Sequence, residues 1–163
     1  MKPCLDVTCG GRMMWFDKQN PACLFLDNRE MADVELCDGR KFNIKPDVVA
    51  DFTNLPFQDG SFYLVVFDPP HLVRAGDDAY MAIKYGKLPQ EWPHVLRDGF
   101  RECMRVLRPG GTLIFKWNEY QIPVRDVLDA IGEKPLFGQR SGKASKTHWM
   151  TFMKMPEEKI CHA

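Results

Sequence analysis

The sequence predicts an α/β fold built on a largely parallel sheet, and three features predict it. Strand-like apolar runs alternate with helical patterns along the chain, the order that βαβ units produce. No internal repeat, low-complexity tract or linker interrupts that alternation. At 163 residues the chain has the length of one domain with one core, so residues 1–163 are expected to form a single unit.

The elements follow in order. Cys4 to Thr8 reads as the first strand, ending at Gly10-Gly11, and Met13 to Lys18 as a short helix. Ala22 to Leu26 is a second strand, stopped by Asp27-Asn28, and Pro46 to Asp51 a third. Asp59-Gly60 marks a turn, and Ser61 to Phe67 is a strong fourth strand that stops at Asp68-Pro69-Pro70. Leu72 to Pro93 holds Gly76, Asp77-Asp78, Gly86 and Pro89, and is expected to be a mobile substrate loop with one helical stretch. From Pro93 to Leu107 a helix sets Leu96, Phe100, Cys103 and Leu107 on one face, and Pro109-Gly110-Gly111 ends it. Thr112 to Trp117 is a fifth strand and Pro123 to Ile131 a helix closed by Gly132. Residues 135–138 and Thr147 to Lys154 form a closing hairpin, with Phe152 and Met153 expected in the core. Five strands and a hairpin suit a seven-stranded sheet whose last strand is antiparallel.

The bulk numbers narrow the function. Hydrophobic residues at 45% and charged residues at 27% are ordinary for a soluble globular chain. Basic and acidic residues balance at 22 each, so attraction to a polyanion must come from a local patch. No apolar run reaches the roughly 18 residues of a membrane span, and the opening residues do not read as a signal peptide. The six cysteines (Cys4, Cys9, Cys23, Cys37, Cys103, Cys161) are scattered without Cys-x-x-Cys. They are expected to be reduced thiols, mostly buried, in a cytoplasmic protein with no metal site.

Chemistry concentrates first at Val65-Val66-Phe67-Asp68-Pro69-Pro70-His71. An apolar strand ending in Asp-Pro-Pro is hard to explain as packing alone. The prolines stiffen the turn and remove two backbone donors, leaving acceptors at the carboxyl end of the sheet. Such a turn suits an exocyclic amine, whose two N–H groups can go to the Asp68 carboxylate and the Pro69 carbonyl. At the first strand, Leu5-Asp6-Val7-Thr8-Cys9-Gly10-Gly11-Arg12 runs into glycines, a form that lets a ligand approach the backbone. The alternative is a strand-to-helix turn with no ligand. Asp27, ending the next strand, can accept from ribose hydroxyls or cap a following helix.

These segments together resemble the class I, Rossmann-like, S-adenosylmethionine-dependent methyltransferases. Asp6 to Arg12 is similar to the Asp-Pro-Phe-Cys-Gly-Ser-Gly motif of amino-methylating DNA enzymes, with Arg12 replacing the last glycine. Asp68-Pro69-Pro70-His71 resembles their Asp/Asn/Ser-Pro-Pro-aromatic motif, with His71 in the aromatic place. Ala50-Asp51-Phe52 and Arg108-Pro109-Gly110-Gly111 have counterparts across the class. The resemblance implies a three-layer fold and S-adenosylmethionine as cofactor. It implies that Asp6, Thr8, Cys9, Gly10, Gly11, Asp27, Asp51, Phe52 and Asp68 bind that cofactor, Asp6 beside the methionine ammonium and Asp51 on the adenine N6. Asp68, Pro69, Pro70 and His71 become the catalytic turn.

The implied reaction is methyl transfer to an amino nitrogen of a nucleobase, adenine first, in DNA or RNA. Candidate substrate contacts are His71, Lys116, Arg140, Lys143, Lys146 and His148, the last four in an acid-free stretch suited to phosphates. A lysine-bearing surface hairpin is the alternative there. Arg97, Arg101 and Arg105 interleave with Asp98 and Glu102 and read as a salt-bridged face. With so little recognition surface, a homodimer or a partner subunit is expected. A small-molecule N- or O-methyltransferase and a non-catalytic cofactor-binding subunit stay open as alternatives.

Overall fold

The computed structural model describes residues 2–76, 79–142 and 145–156. Nine strands and three helices are described: β1 (Cys4–Asp6), β2 (Cys23–Asp27), β3 (Met31–Glu35), β4 (Lys41–Ile44), β5 (Val48–Val49), β6 (Phe62–Phe67), α1 (Tyr80–Tyr85), α2 (Trp92–Val106), β7 (Leu107–Asn118), α3 (Val124–Ile131), β8 (Phe137–Arg140) and β9 (Thr147–Met153). Seven strands form one sheet in the order β5-β2-β1-β6-β7-β9-β8. Strand β9 runs antiparallel to β7 and β8, and the other pairings are parallel.

The core explains the sheet's register. On β6 and β7, Val65, Phe67, Leu113, Phe115 and Trp117 are fully buried, alternate positions that point to one face. Against them α2 lays Leu96, Phe100 and Cys103, and α3 lays Val127 and Ile131. Gly99 lets α2 come close: a Cβ there would stand 2.5 Å from the Phe52 ring.

Parallel crossovers are right-handed. The steps β1→β2→β5 and β6→β7 run in opposite directions across the sheet, so their connections cover opposite faces. Helices α2 and α3 cover one face. The other face receives the 7–22 loop: Trp15 packs edge-on against Phe25 at 5.2 Å, and the Arg12 guanidinium lies 3.9 Å from the same ring's centre.

Several expectations change. Met13 to Lys18 is not a helix but a run of turns. Arg12 adopts φ +55°, and its guanidinium donates to the Lys18 and Lys45 carbonyls. Six residues make too short a helix to stand without a packed face, and Trp15 is drawn to Asp6 instead. Asp27-Asn28 caps no helix, because β3 and β4 follow as an antiparallel hairpin. The third strand shrinks to Val48–Val49. Strand β8 begins two residues later than expected. Phe152 is core, but Met153 lies on the open side, 38% exposed. The salt-bridged face of α2 is present, with Arg105 on Glu102 and Asp59 and Arg97 on Asp98.

Cys9, Cys23 and Cys103 are buried, Cys4 is half-buried and Cys37 exposed; Cys161 lies outside the described residues. Among the described residues no helix is long and apolar enough to cross a membrane.

Candidate functional site

A cavity of about 270 Å³ opens at the carboxyl ends of β1, β2 and β6, the place where open α/β sheets bind ligands. Every cofactor-binding residue expected from sequence lines it: Asp6, Thr8, Cys9, Gly10, Gly11, Asp27, Asp51, Phe52 and Asp68. Pro70 lines it too, while Pro69 and His71 are not part of the lining. The strands bring residues 21 to 62 positions apart onto one rim.

The glycine loop is shaped by its neighbours. Gly10 has φ +47°, and a Cβ there would meet nothing within 4 Å, so its missing side chain is part of the open space. Gly11 is different, since a Cβ would stand 2.9 Å from Phe42 of β4. The loop is clamped to β2: Asp27 Oδ2 accepts the Gly10 N–H at 2.9 Å, and its Oδ1 accepts the Arg29 N–H at 3.0 Å. Thr8 Oγ1 accepts the Asp68 N–H at 2.9 Å, tying the first motif to the Asp-Pro-Pro turn.

Asp6 is the electrostatic centre. It is 1% exposed. Its Oδ2 accepts the Trp15 indole N–H at 2.7 Å and its Oδ1 the Thr8 N–H at 3.2 Å. Burial pushes its carboxyl up to about 7, against those two donors and with smaller upward pushes from Asp68 and Asp27. Among the described residues no cation pairs with it, so a buried acid lines the cavity without a positive partner there. Burial and the nearby Asp6 and Asp27 carboxylates push the Cys9 thiol up to about 12, so it is no nucleophile at neutral pH.

At the turn, Lys116 Nζ donates to Asp68 Oδ2 at 2.6 Å. Burial raises the Asp68 carboxyl, and Lys116 pulls the other way. The Lys116 ammonium also lies 5.7 Å from the Trp149 ring centre. His71 is half-buried, its ring centre 6.1 Å from that of Tyr85 and 6.4 Å from that of Trp117. Burial holds its pKa below the usual histidine value, so the imidazole is neutral at pH 7.

The basic stretch near the C-terminus is not gathered at the cavity. Arg140 Nη2 lies 3.3 Å from Glu119 Oε1, and its Nε donates to the Ser145 carbonyl. His148 Nε2 lies 3.0 Å from the same Glu119 oxygen, off hydrogen-bond geometry. Lys146 sits over the Tyr120 ring. Lys143 lies outside the described residues.

Lys84, Tyr85, Lys87, Leu88 and Pro89, from the stretch after β6, roof the cavity. The Leu88 N–H donates to the Leu72 carbonyl at 2.8 Å, both side chains are buried, and α1 contributes Lys84 and Tyr85 to the lining. Arg29 pins the roof: its Nε donates to Asp27 Oδ1 at 3.2 Å and its Nη1 to the Ile83 carbonyl at 3.2 Å.

No known family's sequence pattern matches the chain, and no curated protein matches it in sequence. Solved structures do. The PH0226 protein of Pyrococcus horikoshii superposes with a TM-score of 0.58 at 14% identity, covering 94% of this chain and 81% of its own. A SAM-dependent methyltransferase of Methanosarcina mazei gives 0.56 at 11% identity, covering 94% and 92%. The 1,6-didemethyltoxoflavin-N1-methyltransferase of Burkholderia thailandensis, solved with S-adenosylhomocysteine, gives 0.54 at 14% identity, covering 94% and 71%. This chain has the Rossmann-like methyltransferase fold.

Within that methyltransferase fold, sequence reasoning missed Trp15, Arg29, Phe42, Lys84 and Tyr85 as parts of the site. Phe42 was within reach: Asp38-Gly39 between Val34-Glu35-Leu36 and Phe42-Asn43-Ile44 is a hairpin signal, and Gly39 takes φ +76°. Nothing local marks Trp15 or Arg29, whose roles come from partners across the fold.

Proposed function

We propose that the chain is an S-adenosylmethionine-dependent methyltransferase that methylates an exocyclic amino nitrogen of a nucleobase, adenine N6 first. One observation carries the reading: a single cavity joins the Asp6–Gly11 loop, Asp27 and Asp51 to the Asp68–Pro70 turn. The residues fit the cofactor. Gly10 leaves room for it, and Asp6 is a buried acceptor with no cation paired to it among the described residues. Asp51 keeps one oxygen on Thr53 and has another for an amino donor. When bound, S-adenosylmethionine supplies an electrophilic methyl group on a sulfonium.

The chain's own contribution is positioning and charge. Asp6 receives the ammonium, and Asp27 holds the glycine loop while facing the ribose side. Lys116 occupies Asp68 Oδ2, which leaves Asp68 Oδ1 as the acceptor for the substrate amine. Lys116 also lowers the Asp68 pKa, against the larger upward push of burial. His71, whose ring neighbours Tyr85 and Trp117, is outside the cavity lining, so stacking on a base would require it to turn toward the cavity.

A small-molecule N-methyltransferase is the second reading, favoured by the roof that Arg29 pins over the cavity. Labelled methyl transfer to DNA, RNA and a metabolite extract, measured separately, distinguishes the two. Asp68→Ala is expected to abolish transfer, by a factor of at least about 10² if amine positioning is its role, while S-adenosylhomocysteine still binds. Full activity in that variant would overturn the assignment.

A further inference from the structure

A second cavity of about 360 Å³ adjoins the first and shares Gly11, Met13, Phe42 and Lys84 with it. Its charged lining is Lys18, Arg40, Lys41 and Lys84, with no aspartate or glutamate. In a chain whose charges balance overall, that is a local concentration of one sign, which focuses an anion's approach. The four cations arrive from three places: the loop after β1, the hairpin β3–β4, and α1 in the roof.

Their partners set their availability. Arg40 is held by Asp38 and donates to the Tyr80 hydroxyl at 2.9 Å, which joins the hairpin tip to the roof. Lys84 lies over the Tyr80 and Tyr85 rings. The Lys18 and Lys41 ammonium groups make no hydrogen bond or ion pair among the described residues, and Glu35, opposite Lys41 on β3, is not part of the lining. Two lysines with unpaired ammonium groups and two positioned cations therefore line a space of about 360 Å³, within the roughly 300–1,000 Å³ of small-molecule sites.

We infer that this cavity binds a phosphate of the substrate, so that the methyl acceptor is a phosphate-bearing nucleotide, in a strand or free, entering beside β3–β4. This inference rests on the proposal that the first cavity is the methyl-transfer site. It also moves the anion contact from the β8–β9 stretch, where Arg140 and His148 face Glu119, to the opposite side of the roof.

The test uses the full chain, a fluorescein-labelled mixed-sequence 12-nucleotide single strand followed by anisotropy, and adenosine monophosphate followed by calorimetry. Lys18→Ala/Lys41→Ala removes two cations. Counterion release then predicts strand affinity about 25-fold lower at about 0.1 M salt, and a log K against log salt slope shallower by about 1.4. If the source is the free nucleotide, its binding is lost in the variant and the strand binds weakly to both proteins. S-adenosylhomocysteine binding checks that the variant folds.

An unchanged slope with unchanged nucleotide binding overturns the inference. So does wild-type protein that binds neither probe, or a loss that follows Arg140→Ala/Lys146→Ala and not Lys18→Ala/Lys41→Ala. Wild-type protein that binds no S-adenosylhomocysteine instead refutes the methyl-transfer reading, whatever the probes do.

Discussion

Cofactor affinity should fall with acid, and Asp6 sets where. Its carboxyl is lifted to about 7 because burial outweighs the Trp15 and Thr8 donors. A cofactor ammonium placed beside it favours the ionised form, so its pKa is lower in the complex than in the free protein. The sign follows from linkage: binding is at full strength above the free-state pKa and weakens as pH falls below it, until the bound-state value is reached. With a free-state value of about 7, moving from about pH 7.5 to about pH 5.5 weakens binding about 25-fold, or about 2 kcal/mol, if the bound value lies below that range. Calorimetry with S-adenosylhomocysteine, whose amino group stays protonated throughout, measures the slope at constant ionic strength. Asp6→Asn should bind more weakly at pH 7.5 and lose the slope. An affinity flat across that interval in the wild type, or an equal slope in Asp6→Asn, would refute the ammonium contact.

Other perturbations test the supporting structure. Trp15→Phe removes the 2.7 Å donor that favours ionised Asp6, so the midpoint of the same titration should move above 7. Lys116→Met removes the cation that lowers the Asp68 pKa; if ionised Asp68 is required, the acid limb of the activity profile should shift to higher pH, and an unmoved limb would separate Lys116 from catalysis. Gly99→Ala would gain helix propensity on an open surface, but its Cβ would lie 2.5 Å from the Phe52 ring. It should instead cost about 1–3 kcal/mol by overpacking, read as a lower melting temperature. Gly86→Ala meets φ +77° and ψ −177°, a glycine-only region, with Pro70 Cγ 3.2 Å from the new Cβ. A loss of about 1–3 kcal/mol is expected, seen in the denaturant midpoint.

Which parts of the chain could be read without coordinates follows from how far each signal reaches. Strand β6 and helix α2 were legible because their patterns are local: Phe62 to Phe67 is one apolar run, and Leu96, Phe100 and Cys103 recur on one helical face. The meeting of Asp6, Gly10, Asp27 and Asp68 at one cavity was legible because motifs at strand ends must meet where parallel strands end together. Met13 to Lys18 was misread because its side chains answer to distant groups, Trp15 to Asp6 and Arg12 to the Lys45 carbonyl. The basic β8–β9 stretch looked open to phosphate because Glu119, which faces Arg140 and His148, comes from the end of β7.

The sequence by itself determined the seven-stranded sheet with its antiparallel last strand, the helices α2 and α3, and the acidic and glycine residues at the sheet's carboxyl edge, since periodicity and turn chemistry act over a few residues. Only the tertiary structure decided which charges stand alone. It paired Asp68 with Lys116, gave buried Asp6 no cation among the described residues, and gathered Lys18, Arg40, Lys41 and Lys84 around one space. Charge and burial depend on neighbours brought together across the fold, and a one-dimensional pattern does not contain those distances.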